Sequence, residues 1–472
     1  MKRKHSASSL ASVRLIKVCS ILSLAHLLAP SPAIAQSDAN SKANRRDEIA
    51  LLRAEVEDLR KLVQELLGKP VAGSLSEGKD APSATDSGEL GKKDTFLQRR
   101  PIGRVPDDAF VTAGDFSGSV SIPGSAGSFR IGGMVQVNGN YDWDNQGFQQ
   151  IGVPTSIPID GDPDDGEKQF GIHARLSNFN LDYRAPTAMG NFRAFVEFDM
   201  FGDGDQFTND YDVRLRHAGV ELGNWRFGQY HSGFIDVFAL PESADPGSPL
   251  AAPVLRQPGF YYMRGTNDGS NVGLGIENPA FDFAGNTELL LSESLPNVVA
   301  FGKLQRDWGY VRLAGLGLQL RSRNEEVLTG GVHLSGRINT PITGPDDNVS
   351  FGLQYGEGFV HYYSSFVGGL DGVISDGGDV EATGIEAAFL AYQHWWSNRW
   401  RTTFMASVFE LDSPAQAAPL SYSGGERYTA NLFWSPIDSA SLGLEVNYNT
   451  IETADGSEGA GWRLEWVGRF FF

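Results

Sequence analysis

Trp462-Arg463-Leu464-Glu465-Trp466-Val467-Gly468-Arg469-Phe470-Phe471-Phe472 ends the chain, and its rhythm decides the fold. Trp462, Leu464, Trp466, Phe470 and Phe472 occupy even positions, and Arg463, Glu465 and Arg469 stand between them. A strand sends successive side chains to opposite faces, so the two sets separate onto an apolar and a polar side. Aromatic residues at an extreme terminus are costly in water, where termini are normally polar and frayed. A strand with lipid on one side and a wet interior on the other calls for this pattern, with aromatics at the interface. A soluble sandwich strand is the competing reading of this segment taken alone.

The same period of two recurs from Ser128 onward. Phe129, Ile131, Val135, Val137 and Tyr141 oppose Arg130, Gln136, Asn138 and Asn140; Phe192, Ala194, Val196, Phe198 and Met200 oppose Arg193, Glu197 and Asp199. Val349 to Tyr355, Trp400 to Val408, Tyr428 to Trp434 and Leu442 to Tyr448 repeat it. Such runs predict an all-β transmembrane barrel of 16 antiparallel strands over 128–472, the even count of single-chain bacterial barrels. Connections alternate in length. Those at 185–190, 223–224, 266–270, 396–398 and 435–439 are short; those at 143–169, 231–257, 277–296, 360–381 and 411–425 are long. A barrel has short periplasmic turns and long outer loops, and a sandwich has no reason to alternate in this way. The alternation slips phase at 173–183 and 213–222, which predicts bulges.

Composition is compatible. The chain has 472 residues and a formal net charge of −19, so nucleic acid is not an expected partner. Mean hydropathy is only −0.25, but a spanning strand needs about 10 residues, half of them apolar, and averages miss it. Residues 1–35 read as a signal peptide: basic Lys2, Arg3 and Lys4, an apolar stretch from Val18 to Leu28, and Ala33-Ile34-Ala35 before Gln36. The only cysteine, Cys19, lies inside it, so no disulfide or thiolate site is expected afterwards. Residues 36–67 read as a short coiled-coil helix placed in the periplasm, with Ile49, Leu52, Val56, Leu59, Val63 and Leu66 on the seam. The heptads alone leave dimer and trimer open. Residues 68–127 read as linker and transition.

No HExxH, GxSxG, Walker or dinucleotide motif appears, and neither enzyme activity, a cofactor nor a metal centre is expected. The acidic segment 160–167 fails the calcium-loop template and reads as a solvated loop. His217, His231 and His394 read as isolated from partners. Arg130, Arg175, Arg193, Arg214, Arg216, Arg401, Arg427 and Arg463 fall on polar faces that would line a lumen; Arg256 and Arg264 join them as candidate anion-selecting residues. Alternatively, inward arginines close onto Glu197, Asp199, Glu386, Glu445 and Glu465 as a structural network. The segment from Ser232 to Arg256, after the fifth strand, is too apolar for a solvated loop and reads as a constriction loop, with Asp236, Glu242 and Asp245 facing wall arginines.

Several stretches resemble the DcaP-like trimeric outer-membrane porins, relatives of the phosphate-selective porins O and P. They are Ser177 to Thr187, Phe195 to Asp199, Leu215 to Ala218, Gly228-Gln229, Pro241-Glu242 and Arg256 to Pro258. The terminal Phe472 is similar to the signature by which outer-membrane barrels engage the barrel-assembly machinery. The resemblance implies a homotrimer in the bacterial outer membrane, touching lipid and lipopolysaccharide. It implies passive diffusion of small hydrophilic solutes, with preference for anions such as dicarboxylates. Two rival readings are a structural tether, whose coiled coil binds a periplasmic partner, and a barrel-embedded hydrolase.

Overall fold

The structure, a computed structural model, describes residues 113–472 except 123, 203–209, 251, 341–343, 345, 364–369 and 413–421. The expected signal peptide, coiled-coil seam and linker up to residue 112 lie outside the described residues.

Sixteen strands close into one antiparallel barrel. They are β1 (Ser128–Asp142), β2 (Gln169–His173 resumed as Asn178–Thr187), β3 (Gly190–Asp199), β4 (Arg214–Leu222), β5 (Trp225–His231), β6 (Arg256–Gly265), β7 (Asn271–Glu277), β8 (Asn297–Arg306), β9 (Gly309–Arg321), β10 (Glu326–Asn339), β11 (Asn348–Glu357), β12 (Gly384–Trp395), β13 (Trp400–Asp412), β14 (Tyr422–Ile437), β15 (Ala440–Thr453) and β16 (Glu458–Phe471). The terminal run closes the ring: β16 pairs with β1 from Met134↔Phe471 to Asp142↔Arg463. Closure leaves no sheet edge unpaired, which a strand surrounded by lipid requires.

Both expected slips of register are bulges. Between Met134↔Asn178 and Asn138↔His173, β2 carries an extra residue against β1, and the Ser177 hydroxyl accepts the freed Gln136 N–H at 3.0 Å. Glu197 pairs with His217 and Phe198 with Leu215, which leaves Arg216 as the extra residue of β4. A bulge turns its side chain out of the alternation. Here it brings Arg216 to the Asp199 carboxylate that Arg214 also holds.

The short connections at 188–189, 223–224, 307–308 and 438–439 lie at one end, the turn end. The connections at 143–168, 232–255, 278–296 and 358–383 lie at the other, the loop end. Phe283–Gly285, Gly372–Ile374 and Val380–Ala382 join two of these loops into a small separate sheet.

The outer face is apolar and uncovered. Ile131, Phe170, Val272, Leu274, Leu313 and Leu328 are all more than half exposed. A soluble monomer does not present so continuous an apolar belt, so lipid is the matching solvent. Trp225 against Tyr262 and the stacked Trp400 and Trp434 lie towards the turn end, and Tyr448 against Trp462 towards the loop end. Gly139 faces Trp466 across the closing pair, and a Cβ there would come within 2.2 Å of the indole.

Candidate functional site

Loop 232–255 turns into the barrel after β5. Phe234, Ala239 and Leu250 are fully buried. They join a core made by the inner faces of β8 to β13, including Val299, Leu316, Leu320, Phe389 and Phe409. Phe359, Val360, Tyr362 and Tyr363 of loop 358–383 complete it, with Phe234 packed edge-on against Phe359 and Tyr362. Burying each such side chain contributes roughly 1.5–3 kcal/mol. On this side the interior is filled, and burial raises the Tyr362 and Tyr363 phenols far above their ordinary range.

Polar contacts fix where the loop sits. At its root, Glu277 accepts the Ser232 hydroxyl, the Gly233 amide, Gln257 and the Tyr261 and Tyr362 hydroxyls. Further along, Glu445 accepts the Ser243 hydroxyl and the amides of Ala244 and Asp245, with Asn431 and Asn447 filling its other positions. Such a set of donors offsets the cost of burying a carboxylate. Arg401 holds Glu242 through a fork of two bonds, and Arg427 meets Asp245 at 2.9 Å. Arg312, Arg337 and Arg469 donate to loop carbonyls of Gly233 and Phe234, of Leu240, and of Ser243. Asp236 instead takes the Ser335 hydroxyl at 2.8 Å and the Tyr310 hydroxyl at 3.3 Å.

The inner face of β1 to β5 is different. Arg184 and Arg214 keep 44% and 40% of their side chains exposed, and Arg193 keeps 27%. Asp182 binds Arg184 and Arg193 with two bonds each and lies 3.9 Å from Arg130. Asp199 binds Arg214 with two bonds and Arg216 at 2.7 Å; Arg216 also meets Glu197. Glu221 pairs with Arg226 at 3.0 Å and Arg193 at 3.5 Å. In these ion pairs the guanidinium groups are partly exposed while Asp182 and Asp199 are buried.

The candidate arginines therefore fall into separate groups. Arg130, Arg193, Arg214 and Arg216 share the open wall. Arg401, Arg427 and Arg463 are nearly or fully buried, and Arg463 is clamped on Asp142 at 2.7 and 2.8 Å. Arg175 is buried too, donates to the Gly202 carbonyl and lies against the Phe201 and Tyr211 rings. Arg256 makes no hydrogen bond or ion pair among the described residues and lies within electrostatic reach of Arg214 and Arg216.

Corrections follow. Arg264 is on the outer face, exposed and paired with Val272 in line with Phe260 and Tyr262, because the buried Tyr261 sets the inward phase of β6. Glu386 faces outward opposite Tyr355, because Ile385 and Ala387 take the inward positions. The histidines are not isolated: His217 lies 3.8 Å from Glu197 and against His231, and His394 meets Asp347 at 2.9 Å. Glu277, Lys303, Arg312 and Arg337 were not anticipated. On β9 the inner face changes from Tyr310 and Arg312 to Leu316, Leu318 and Leu320, so polar alternation gives no signal over the whole strand. In the acidic segment Asp162 and Asp165 accept backbone amides of their own turn, and no metal-holding group occurs among the described residues.

The family model described as DcaP outer membrane protein matches residues 117–258, from just ahead of β1 through loop 232–255 to the start of β6. No curated protein matches the chain. The crystal structure of the outer membrane channel DcaP of Acinetobacter baumannii superposes with a TM-score of 0.63 at 18% identity, covering 74% of this chain and 98% of that one. The anion-selective porin from Comamonas acidovorans gives 0.49 at 13% identity, covering 73% and 100%. The trimer form of OmpT from Vibrio cholerae gives 0.45 at 11% identity, covering 74% and 100%. The resemblance read from the sequence is thus borne out in family match and in fold.

Proposed function

We propose, starting from a DcaP-type barrel, that this chain is a bacterial outer-membrane porin through which small hydrophilic anions, dicarboxylates among them, diffuse passively. One observation carries the preference for anions. On the open wall Arg130, Arg184, Arg193, Arg214, Arg216 and Arg226 outnumber Asp182, Glu197, Asp199 and Glu221. Positive rings in a pore admit anions, and a guanidinium fork matches a carboxylate by two parallel bonds. Ion pairing there spends part of the charge and leaves the excess.

Assembly as a homotrimer, with the helix of residues 36–67 in the periplasm, is part of the same reading. The purified protein in planar bilayers, under a potassium chloride gradient, is expected to reverse at a potential favouring chloride. A reversal favouring potassium overturns the preference. A threefold step pattern in single insertions is the expected sign of the trimer, and single steps overturn it.

A further inference from the structure

Ahead of β1 the chain folds back on itself at the turn-end rim of the barrel. β16 stops short there: the Phe472 amide and carbonyl both bond Gly133, and β1 extends beyond them to Ser128. An edge left without a neighbour presents unpaired amides and carbonyls. Val120 and Ser121 cover part of it, paired with Phe129 and Ser128, and Ala113 bridges back to Val120. The turn between Ala113 and Val120 is tied through serines. The Asp115 amide donates to the Ser128 hydroxyl at 3.0 Å, the Phe116 amide to the Ser119 hydroxyl at 3.2 Å, and the Ser121 hydroxyl to the Ala113 carbonyl at 2.9 Å. The Ser119 amide closes the turn on the Phe116 carbonyl at 3.0 Å, with Gly118 in the left-handed region at a φ of +75°.

This turn presents Phe116 to the open wall. On the other edge of β1, Ser128 pairs with Arg184 and Arg130 with Asp182, so two inward arginines lie beside it. The Arg184 guanidinium lies 4.3 Å over the Phe116 ring and the Arg130 guanidinium 5.9 Å from its centroid. An aromatic that only anchored its own hairpin would be packed among apolar side chains. Phe116 belongs to neither apolar cluster among the described residues and is half-buried against cations. Arg184 is thereby held in two ways: Asp182 takes its edge through two bonds, and Phe116 takes a face.

We infer that Phe116 is a specificity-determining residue at the turn-end mouth, a cap that screens Arg184 and Arg130 from passing anions. The inference rests on the reading of the barrel as an anion pore and adds to it a place where the pore lets go. A pore conducts only when a solute held by its charges can also leave. A ring face turned to a guanidinium opposes part of its charge and keeps an anion off that side. The cap comes from the chain that leads into β1, so the segment ahead of the barrel sets how strongly its turn end holds anions.

The test is the reversal potential of channels in planar bilayers under a potassium chloride gradient. Phe116→Ala should raise the chloride-to-potassium permeability ratio about twofold, and Phe116→Tyr, which keeps a ring face, should leave it at the wild-type value. An unchanged ratio in Phe116→Ala, or a Phe116→Tyr channel that matches Phe116→Ala, overturns the cap. A second measurement reads where the side chain stands. The only native cysteine, Cys19, lies in the expected signal peptide, so Phe116→Cys gives the rest of the chain a single thiol. Its modification with a sulfonate-bearing methanethiosulfonate places a negative charge beside Arg184 and should lower the chloride preference; modification without electrical effect overturns the placement in the mouth. A wild-type channel that prefers potassium overturns the anion-pore reading instead, so the two failures are distinguishable.

Discussion

Arginine does opposite work on two parts of the same inner wall. On β2 to β5, Arg184, Arg193, Arg214 and Arg216 meet carboxylates while their side chains stay partly in solvent. On β14 and β16, Arg427 and Arg463 meet Asp245 and Asp142 with both partners sealed from solvent. The residue types and the inward phase are the same; burial differs. On β2 to β5 Asp182 and Asp199 are themselves buried, but a guanidinium left partly in water is held more weakly and leaves a field that a passing ion can feel. A sealed pair fixes geometry, and removing one partner strands the other charge. In the proposed function the first arrangement is the one that selects solutes; the second holds a loop and a barrel seam in place.

The largest expected break in this contrast is Arg463→Gln, which leaves Asp142 buried without its cation. It should cost about 3–5 kcal/mol, read as a lower unfolding midpoint in detergent, with chloride preference nearly unchanged. Phe234→Ala empties the centre of the filled side. It should cost about 3 kcal/mol and loosen the loop, read as larger and noisier single-channel conductance. Glu445→Gln leaves amides of the loop less well satisfied, at about 1–2 kcal/mol, with conductance again rising.

On the open wall the order of effects reverses. Arg214→Gln should change stability by less than about 1 kcal/mol yet move the reversal potential toward potassium. Asp182→Asn sharpens the comparison further, because it frees the charge of Arg184 and Arg193 and should move the reversal potential toward chloride. If both variants leave selectivity where it was, the open wall is not the filter. The smallest effect belongs to Asp268→Asn in the turn at 266–270. That carboxylate is exposed, and the Thr266 hydroxyl, the Ser270 amide and Arg306 hold its pKa down to about 2. Unfolding midpoint and conductance should both stay at the wild-type value at neutral pH.

Strand number and closure, and the phase of most strands though not of Arg264 or Glu386, were legible because they follow from local rules. Alternation at Trp462 to Phe472 had to place one set in lipid and the other inside, and long and short connections had to sort to opposite ends. Even the bulges near Ser177 and at Arg216 left a trace, as a slip in that alternation. The inserted loop was legible as a segment too apolar for solvent. Which arginines stay open to solvent was not. Arg214 and Arg463 read alike along the chain, and each meets a buried carboxylate at 2.7 Å; what separates them is how much water reaches the guanidinium. Arg312 and Arg337 were obscured because their strands pack partly against the inserted loop, where inner positions turn apolar and the period of two loses its contrast. Periodicity is a property of neighbours in the chain, whereas partner and solvent access are set by residues as distant as Asp142 from Arg463, brought together only when the cylinder closes.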